Sequence, residues 1–283
     1  MPTFTSLISA GELAEHIDQC LVVDCRHELA RPEAGRDSYQ QAHIPGAFFM
    51  HLDEDLSSAQ TGSNGRHPLP DPATLAASLA AIGLRPGRQL IAYDAAGGMV
   101  ASRLWWMARW LGHDAVAVLD GGIDAWTRAG FPLTAELPTP PAPAETSWVK
   151  TGQQPVVDRQ AMLENIDRQA LLVIDARGAD RFRGETEPMD AKAGHIPGAV
   201  NRPFTQNLRD NGLFKPPAGL RQEFAALIGD RSATQIAHSC GSGVSACHNL
   251  LAMASAGLDG AALYPGSWSE WSSHDELPVA TGD

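Results

Sequence analysis

Cys240 stands where a nucleophilic thiol would be useful. It lies in Ile236-Ala-His-Ser-Cys240-Gly-Ser-Gly-Val-Ser245-Ala246, where a short apolar run passes into a loop of glycine and serine. Helical spacing follows, with Val244, Cys247, Leu251 and Ala254 three and four residues apart. That order puts Cys240 at the carboxyl end of a strand, where open α/β sheets bind ligands. The next helix would turn its unpaired N–H groups and the positive end of its dipole back toward the loop. Gly241 and Gly243 can take positive φ, so the N–H groups of Gly241, Ser242, Gly243, Val244 and Ser245 can converge on one anionic sulfur. A thiolate stabilised in this way is a nucleophile. Taken alone, the loop also fits a plain turn around a buried, inert cysteine. Phosphatase chemistry uses a C-x5-R loop to grip a phosphoryl group, but the sixth residue after Cys240 is Ala246, so the bidentate arginine is missing.

The elements that must hold this loop occur twice. Leu21-Val-Val-Asp24-Cys-Arg26 recurs as Leu172-Val-Ile-Asp175-Ala-Arg177, and His-Ile-Pro-Gly-Ala stands at both 43–47 and 195–199. Leu90-Ile-Ala-Tyr-Asp94 matches the run into Cys240, and Gly121-Gly-Ile-Asp-Ala-Trp126 matches Gly266-Ser-Trp-Ser-Glu-Trp271. In the first copy the cysteine position is Asp94, which cannot act as a thiol nucleophile, so one half works and the other supports. Apolar runs at 21–23, 90–93, 115–119, 171–174 and 261–263 have the length of buried parallel strands. Helical spacing, as at Val100, Leu104, Met107 and Leu111, lies between them. The class is therefore α/β. Pro138, Pro140, Pro141 and Pro143 mark an extended linker. The expected organisation is a first domain over 1–133, a linker over 134–150 and a catalytic domain over 151–283.

Composition excludes several roles. A chain of 283 residues with 43% hydrophobic and 19% charged residues can bury two cores. Its net charge of −12 offers no basic surface for nucleic acid. No stretch approaches the roughly 20 apolar residues of a membrane span, and the N-terminus does not read as a signal peptide, so a cytoplasmic protein is expected. Four cysteines without paired C-x-x-C spacing suggest neither a disulfide scaffold nor a zinc site. Cys247 falls on the apolar helix face, and Trp105, Trp106 and Trp126 read as core and cleft walls.

The whole chain resembles the tandem-domain rhodanese family. The resemblance is carried by both D-x-R strand ends, both H-I-P-G-A segments, the Arg103-Leu-Trp-Trp helix and the Cys240 loop. It implies two rhodanese-like domains, each a parallel β-sheet flanked by α-helices, with sulfur carried as a Cys240 persulfide and no metal or organic cofactor. Within that family, C-R-K-G-V-T loops go with thiosulfate and C-G-S-G-V-T-A loops with 3-mercaptopyruvate; this chain reads Cys240-Gly-Ser-Gly-Val-Ser-Ala246. The resemblance therefore implies transfer from 3-mercaptopyruvate to a thiol, thioredoxin or cyanide, with release of pyruvate. Thiosulfate:cyanide transfer and a persulfide carrier with poor small-donor turnover are the alternatives. By the same resemblance, Arg181 in Arg181-Phe-Arg183-Gly184 binds the substrate carboxylate. A second arginine, common after Glu-Pro, is replaced by Met189. A proton relay maps onto Asp37, His43 and Ser242. Arg177 and Arg26 repeat each other and so read as structural, and His195 repeats His43, which makes a turn-bonding role for both an alternative to the relay.

Overall fold

A computed structural model of the chain describes residues 2–283. Buried strands and short helices alternate, as the apolar runs require. The strands are β1 (Leu7–Ile8), β2 (Cys20–Asp24), β3 (Phe48–Phe49), β4 (Gln89–Tyr93), β5 (Val116–Leu119), β6 (Leu172–Asp175), β7 (Val200–Asn201), β8 (Ile236–Ser239) and β9 (Ala262–Leu263). The helices are α1 (Ala10–His16), α2 (Ala34–Gln41), α3 (Pro72–Ala81), α4 (Ala101–Trp110), α5 (Gly122–Arg128), α6 (Arg159–Arg168), α7 (Ala179–Phe182), α8 (Pro217–Ile228), α9 (Ser245–Ser255) and α10 (Ser267–Trp271). No helix or strand falls within 134–150. None of the helices among the described residues is long and apolar enough to cross a membrane.

The chain divides into two compact units. The first comprises the chain up to Ser58, Pro70–Gln153 and Asp210–Phe214. The second comprises Ala59–Leu69, Gln154–Arg209 and Lys215–Asp283. A single cut near the proline-rich segment therefore misses an exchange: the strap 59–69 lies in the first half of the sequence but packs with the second unit.

In the first unit five parallel strands run in the order β1-β5-β4-β2-β3. In the second, four run in the order β7-β6-β8-β9. The orders superpose through the sequence repeat, and the place of β1 is reduced to one parallel bridge between Val156 and Leu263. Strands β2, β4 and β8 are buried along their whole length, as parallel strands covered on both faces must be. Of the two-residue edge strands, β9 shows in the sequence as the run at 261–263, whereas β1, β3 and β7 are too short to show. Equivalent tryptophans anchor both cores: Trp126 Nε1 donates to Pro132 O and Trp271 Nε1 to Pro278 O, each at 2.8 Å. Tyr264, Trp268 and Trp271 fill the second core under β8 and β9.

Candidate active site

Strand β8 ends at Ser239, and the next residue, Cys240, is pinned on both sides. Its N–H donates to Ser267 Oγ at 3.1 Å, and its carbonyl accepts from Trp268 N at 3.0 Å. Ser267 Oγ in turn donates to Tyr264 O at 2.9 Å. Ser267 holds this place at φ 53°, a left-handed conformation that costs a non-glycine residue about 1–2 kcal/mol. The matching residue of the first unit is Gly122 at φ 57°. The second unit thus keeps a strained serine whose hydroxyl fixes the cysteine backbone.

The thiol is 1% exposed, and the Gly243 N–H donates to Sγ at 3.1 Å. Gly243 has φ 75°, and a β-carbon there would come within 2.4 Å of Pro265 O, so glycine is required twice over. Val244 caps α9 and Ser245 begins it, which sets the helix N-terminus at the loop. Gly241 differs from expectation, because its φ is not positive. Its missing side chain serves space instead: a β-carbon would lie 3.0 Å from Arg66 Nη2 and 3.6 Å from Arg181 Nη1.

The first unit shows what such a loop holds when it has no thiol. Asp94 Oδ1 accepts N–H bonds from Ala96 and Gly98 at 2.8 and 2.9 Å, and Oδ2 accepts from Val100 and Ala101 at 2.8 and 3.0 Å. Four amides converge on one buried anion. The loop after β4 is thus an anion cradle, and in the matching loop after β8 the Gly243 amide points at the sulfur.

The expected Asp37–His43–Ser242 relay is not assembled. His43 is fully buried in the first unit, with Nδ1 2.7 Å from Tyr39 O and Nε2 3.2 Å from Glu136 O. Its ring stacks on Tyr39 at 4.1 Å. His195 does the same in the second unit, with Nδ1 2.8 Å from Phe182 O and its ring on Phe182 at 3.7 Å. Both histidines fasten a turn, and Asp37, in the first turn of α2, is not a ring partner of His43. The imidazole at Ser242 is that of His67, whose Nδ1 is 2.7 Å from the hydroxyl; both residues are buried. His67 sits in the 59–69 strap, where no repeat or motif marks it.

Arg181 belongs to an alternating ion-pair chain, Asp175–Arg177–Glu187–Arg181–Asp190–Arg66. Arg177 reaches Asp175 at 2.8 Å and Glu187 at 3.3 Å; Arg181 reaches Glu187 at 2.7 Å and Asp190 at 3.0 Å. Arg66 pairs with Asp190. Both central carboxylates are 3% exposed. Burial opposes ionisation of Glu187, yet the bonds from Arg181 and from the Met189 and Asp190 amides outweigh it and hold the carboxyl below its ordinary range. Burial pushes Asp190 the other way, against the pull of Arg66. Arg177 is structural, as its repeat suggested: Nη2 donates to Gly194 O just as Arg26 Nη2 donates to Ala42 O, each at 2.7 Å. Met189 is exposed and brings no charge to the network.

The other thiols do not compete. Burial raises Cys20 to about 11, and burial beside Asp24, Asp94 and Asp55 raises Cys25 well above the usual thiol range. Cys247 is fully buried and donates to Gly243 O at 3.4 Å. Among the described residues, His27, His51 and Asp53 bring potential metal-ligand atoms within 4.8 Å of one another. His51 already uses both nitrogens, Nε2 on Pro32 O at 3.1 Å and Nδ1 on the Asp53 N–H at 3.2 Å, so a metal would have to displace both bonds.

Known proteins share this two-domain organisation. The model of the rhodanese-like domain matches residues 9–129 and 158–274. A Pseudomonas aeruginosa protein named "Probable 3-mercaptopyruvate sulfurtransferase" is 45% identical over 282 residues, covering 98% of each chain. The human 3-mercaptopyruvate sulfurtransferase is 38% identical over 253 residues, covering 85% of this chain and 81% of its own. The structure of 3-mercaptopyruvate sulfurtransferase from Leishmania major is similar with a TM-score of 0.85 at 32% identity, over 97% of this chain and 76% of that one. With the rhodanese-like domain matched in both halves and relatives of this kind covering nearly the whole chain, this chain belongs to the rhodanese family.

Proposed function

We propose that this protein is a 3-mercaptopyruvate sulfurtransferase. The Cys240 thiolate attacks the donor sulfur, forming an S–S bond, and the donor C–S bond breaks with its electron pair passing to the enolate of pyruvate. The proton of the donor thiol ends on the methyl carbon of pyruvate, leaving Cys240 as an anionic persulfide. An acceptor nucleophile then takes the outer sulfur and restores the thiolate: cyanide gives thiocyanate, and a thiol, such as that of thioredoxin, gives a persulfide. The Gly243 amide, 3.1 Å from Sγ, supports a role for the loop amides of Gly241, Ser242, Gly243, Val244 and Ser245 in holding the sulfur anion. Arg181 binds the carboxylate, and Ser242 with His67 carries the proton.

The Ser242–His67 pair, 2.7 Å apart two residues from the nucleophile, carries this reading. Sulfur transfer from a thiol donor to Cys240, with an enolate as leaving group, needs a proton moved from sulfur to carbon. Transfer from thiosulfate releases sulfite and needs none. A proton-carrying pair beside the sulfur therefore favours the thiol donor. The near-complete burial of Cys240 suits a small donor. Four cysteines, none of them in a disulfide, fit a reducing compartment such as the cytoplasm.

The test compares kcat/KM for the two donors with cyanide as acceptor. Preference for 3-mercaptopyruvate by about tenfold or more is expected, with Ser242→Ala slowing that donor and sparing thiosulfate. Preference for thiosulfate overturns the assignment.

A further inference from the structure

We propose that Arg66 is a second guanidinium for the donor carboxylate, acting with Arg181 across Gly241, with Asp190 as the internal carboxylate that holds the two cations in place. This rests on the donor being a small carboxylate, as argued above.

The two guanidiniums converge on one point, the side-chain position of Gly241, the residue after the nucleophile. Arg66 Nη2 and Arg181 Nη1 are the atoms closest to that point, 3.0 and 3.6 Å from where a β-carbon of Gly241 would stand. Neither atom makes the bonds to Glu187 or Asp190, which use Arg66 Nη1 and Arg181 Nε and Nη2. Arg66 Nε is buried without a hydrogen-bond partner. Donor capacity is thus left over on the face that looks at the loop.

Charge follows the same direction. Each interior member of the alternating chain touches two opposite charges, but Arg66, at its end, pairs among the described residues with Asp190 alone. The end of the network beside Cys240 is therefore its electropositive end, and a carboxylate placed there completes the alternation. In 3-mercaptopyruvate the carboxylate carbon is three bonds from the sulfur, so a donor with its sulfur at Sγ can place its carboxylate over the neighbouring residue. Any side chain at 241 would fill that place, which gives the glycine a reason independent of its backbone angles. Consecutive residues of one strap, Arg66 and His67, would then serve the anion and the proton of the same donor.

Arg66→Met, Arg66→Lys and the wild-type protein are compared in steady-state turnover of 3-mercaptopyruvate, and in discharge of preformed Cys240 persulfide to cyanide, a step with no carboxylate. For Arg66→Met, KM for 3-mercaptopyruvate is expected to rise about 10–100-fold with kcat changed by less than about threefold. Arg66→Lys should fall between, and persulfide discharge should stay at the wild-type rate in both. An unchanged KM in Arg66→Met overturns the proposal. So does an equal slowing of persulfide discharge, which would make the residue structural. Failure of the donor reading shows separately, as absence of turnover by the wild-type protein, and would remove the Arg66 role with it.

Discussion

The loop after β4 closes four amides on Asp94, whereas the matching loop after β8 closes on Cys240. Both turn backbone N–H groups toward their occupant, four in the first and that of Gly243 in the second, and both are braced by the first turn of a short helix, α5 or α10: Ile123 N donates to Asp94 O, and Trp268 N to Cys240 O, each at 3.0 Å. The difference lies in the occupant. A carboxylate with all its lone-pair positions filled is inert, so the first unit gains stability and no chemistry. A sulfur with one direct amide bond, beside a buried Ser242–His67 pair and two guanidiniums, keeps capacity to react. The fold supplies the cradle, and a few side chains decide whether it is a structural knot or a reactive site.

Exchanging the two occupants for serine separates these roles most sharply. Cys240→Ser should reduce sulfur transfer by more than about 10³-fold while leaving unfolding almost unchanged. Asp94→Ser should retain the cysteine chemistry but lower the unfolding free energy by about 2–3 kcal/mol in denaturant titration, because buried amides lose a charged acceptor. The opposite pattern would mean that the roles of the units have been reversed.

The two kinds of histidine give the next contrast. His67→Gln should lower kcat with 3-mercaptopyruvate by about 10²-fold, the scale of a lost proton carrier. His43→Gln should leave kcat near wild type and cost about 1–2 kcal/mol of stability, through loss of the bonds to Tyr39 O and Glu136 O. Equal kinetic effects would dissolve the distinction.

The smallest effect concerns acid stability. Strand β8 carries His238 where β4 carries Ala92, and burial, aided by Arg202, pushes this imidazole down from 6.5 to about 3. Its folded-state value is depressed, so the unfolded chain binds the proton more readily. The stability tied to the neutral ring is complete above pH 6.5 and is lost as pH falls toward 3. His238→Leu should flatten this part of the stability profile measured by unfolding at a series of pH values. An unaltered slope would place the acid sensitivity elsewhere.

Much of the fold is legible in the sequence because its signals are local. The runs at 21–23 and 90–93 lie within β2 and β4, and the run at 171–174 overlaps β6, each an apolar segment flanked by turn residues; the helix after Cys240 shows its buried face at Val244, Cys247 and Leu251. Duplication then exposes Asp94 as the partner position of Cys240. What stayed hidden is non-local. Arg66 and His67 lie in a strap that precedes α3 in sequence but packs with the second unit, and no periodicity marks such an exchange. His43 drew attention through H-I-P-G-A, yet the repeat at His195 shows the same ring-to-carbonyl bond, so its signal is that of a turn. Gly241 looked like a conformational glycine and is a spatial one, visible only once the two guanidiniums are placed.

The central claim is that sulfur rests on Cys240 between the two half-reactions. Mixing the protein with one equivalent of 3-mercaptopyruvate and no acceptor, then measuring intact mass and released pyruvate, tests it directly. The account predicts a gain of about 32 Da localised to Cys240, one pyruvate released per chain, and removal of the added mass by cyanide as thiocyanate. Pyruvate release with no added mass, or an added mass that persists in Cys240→Ser, would contradict it.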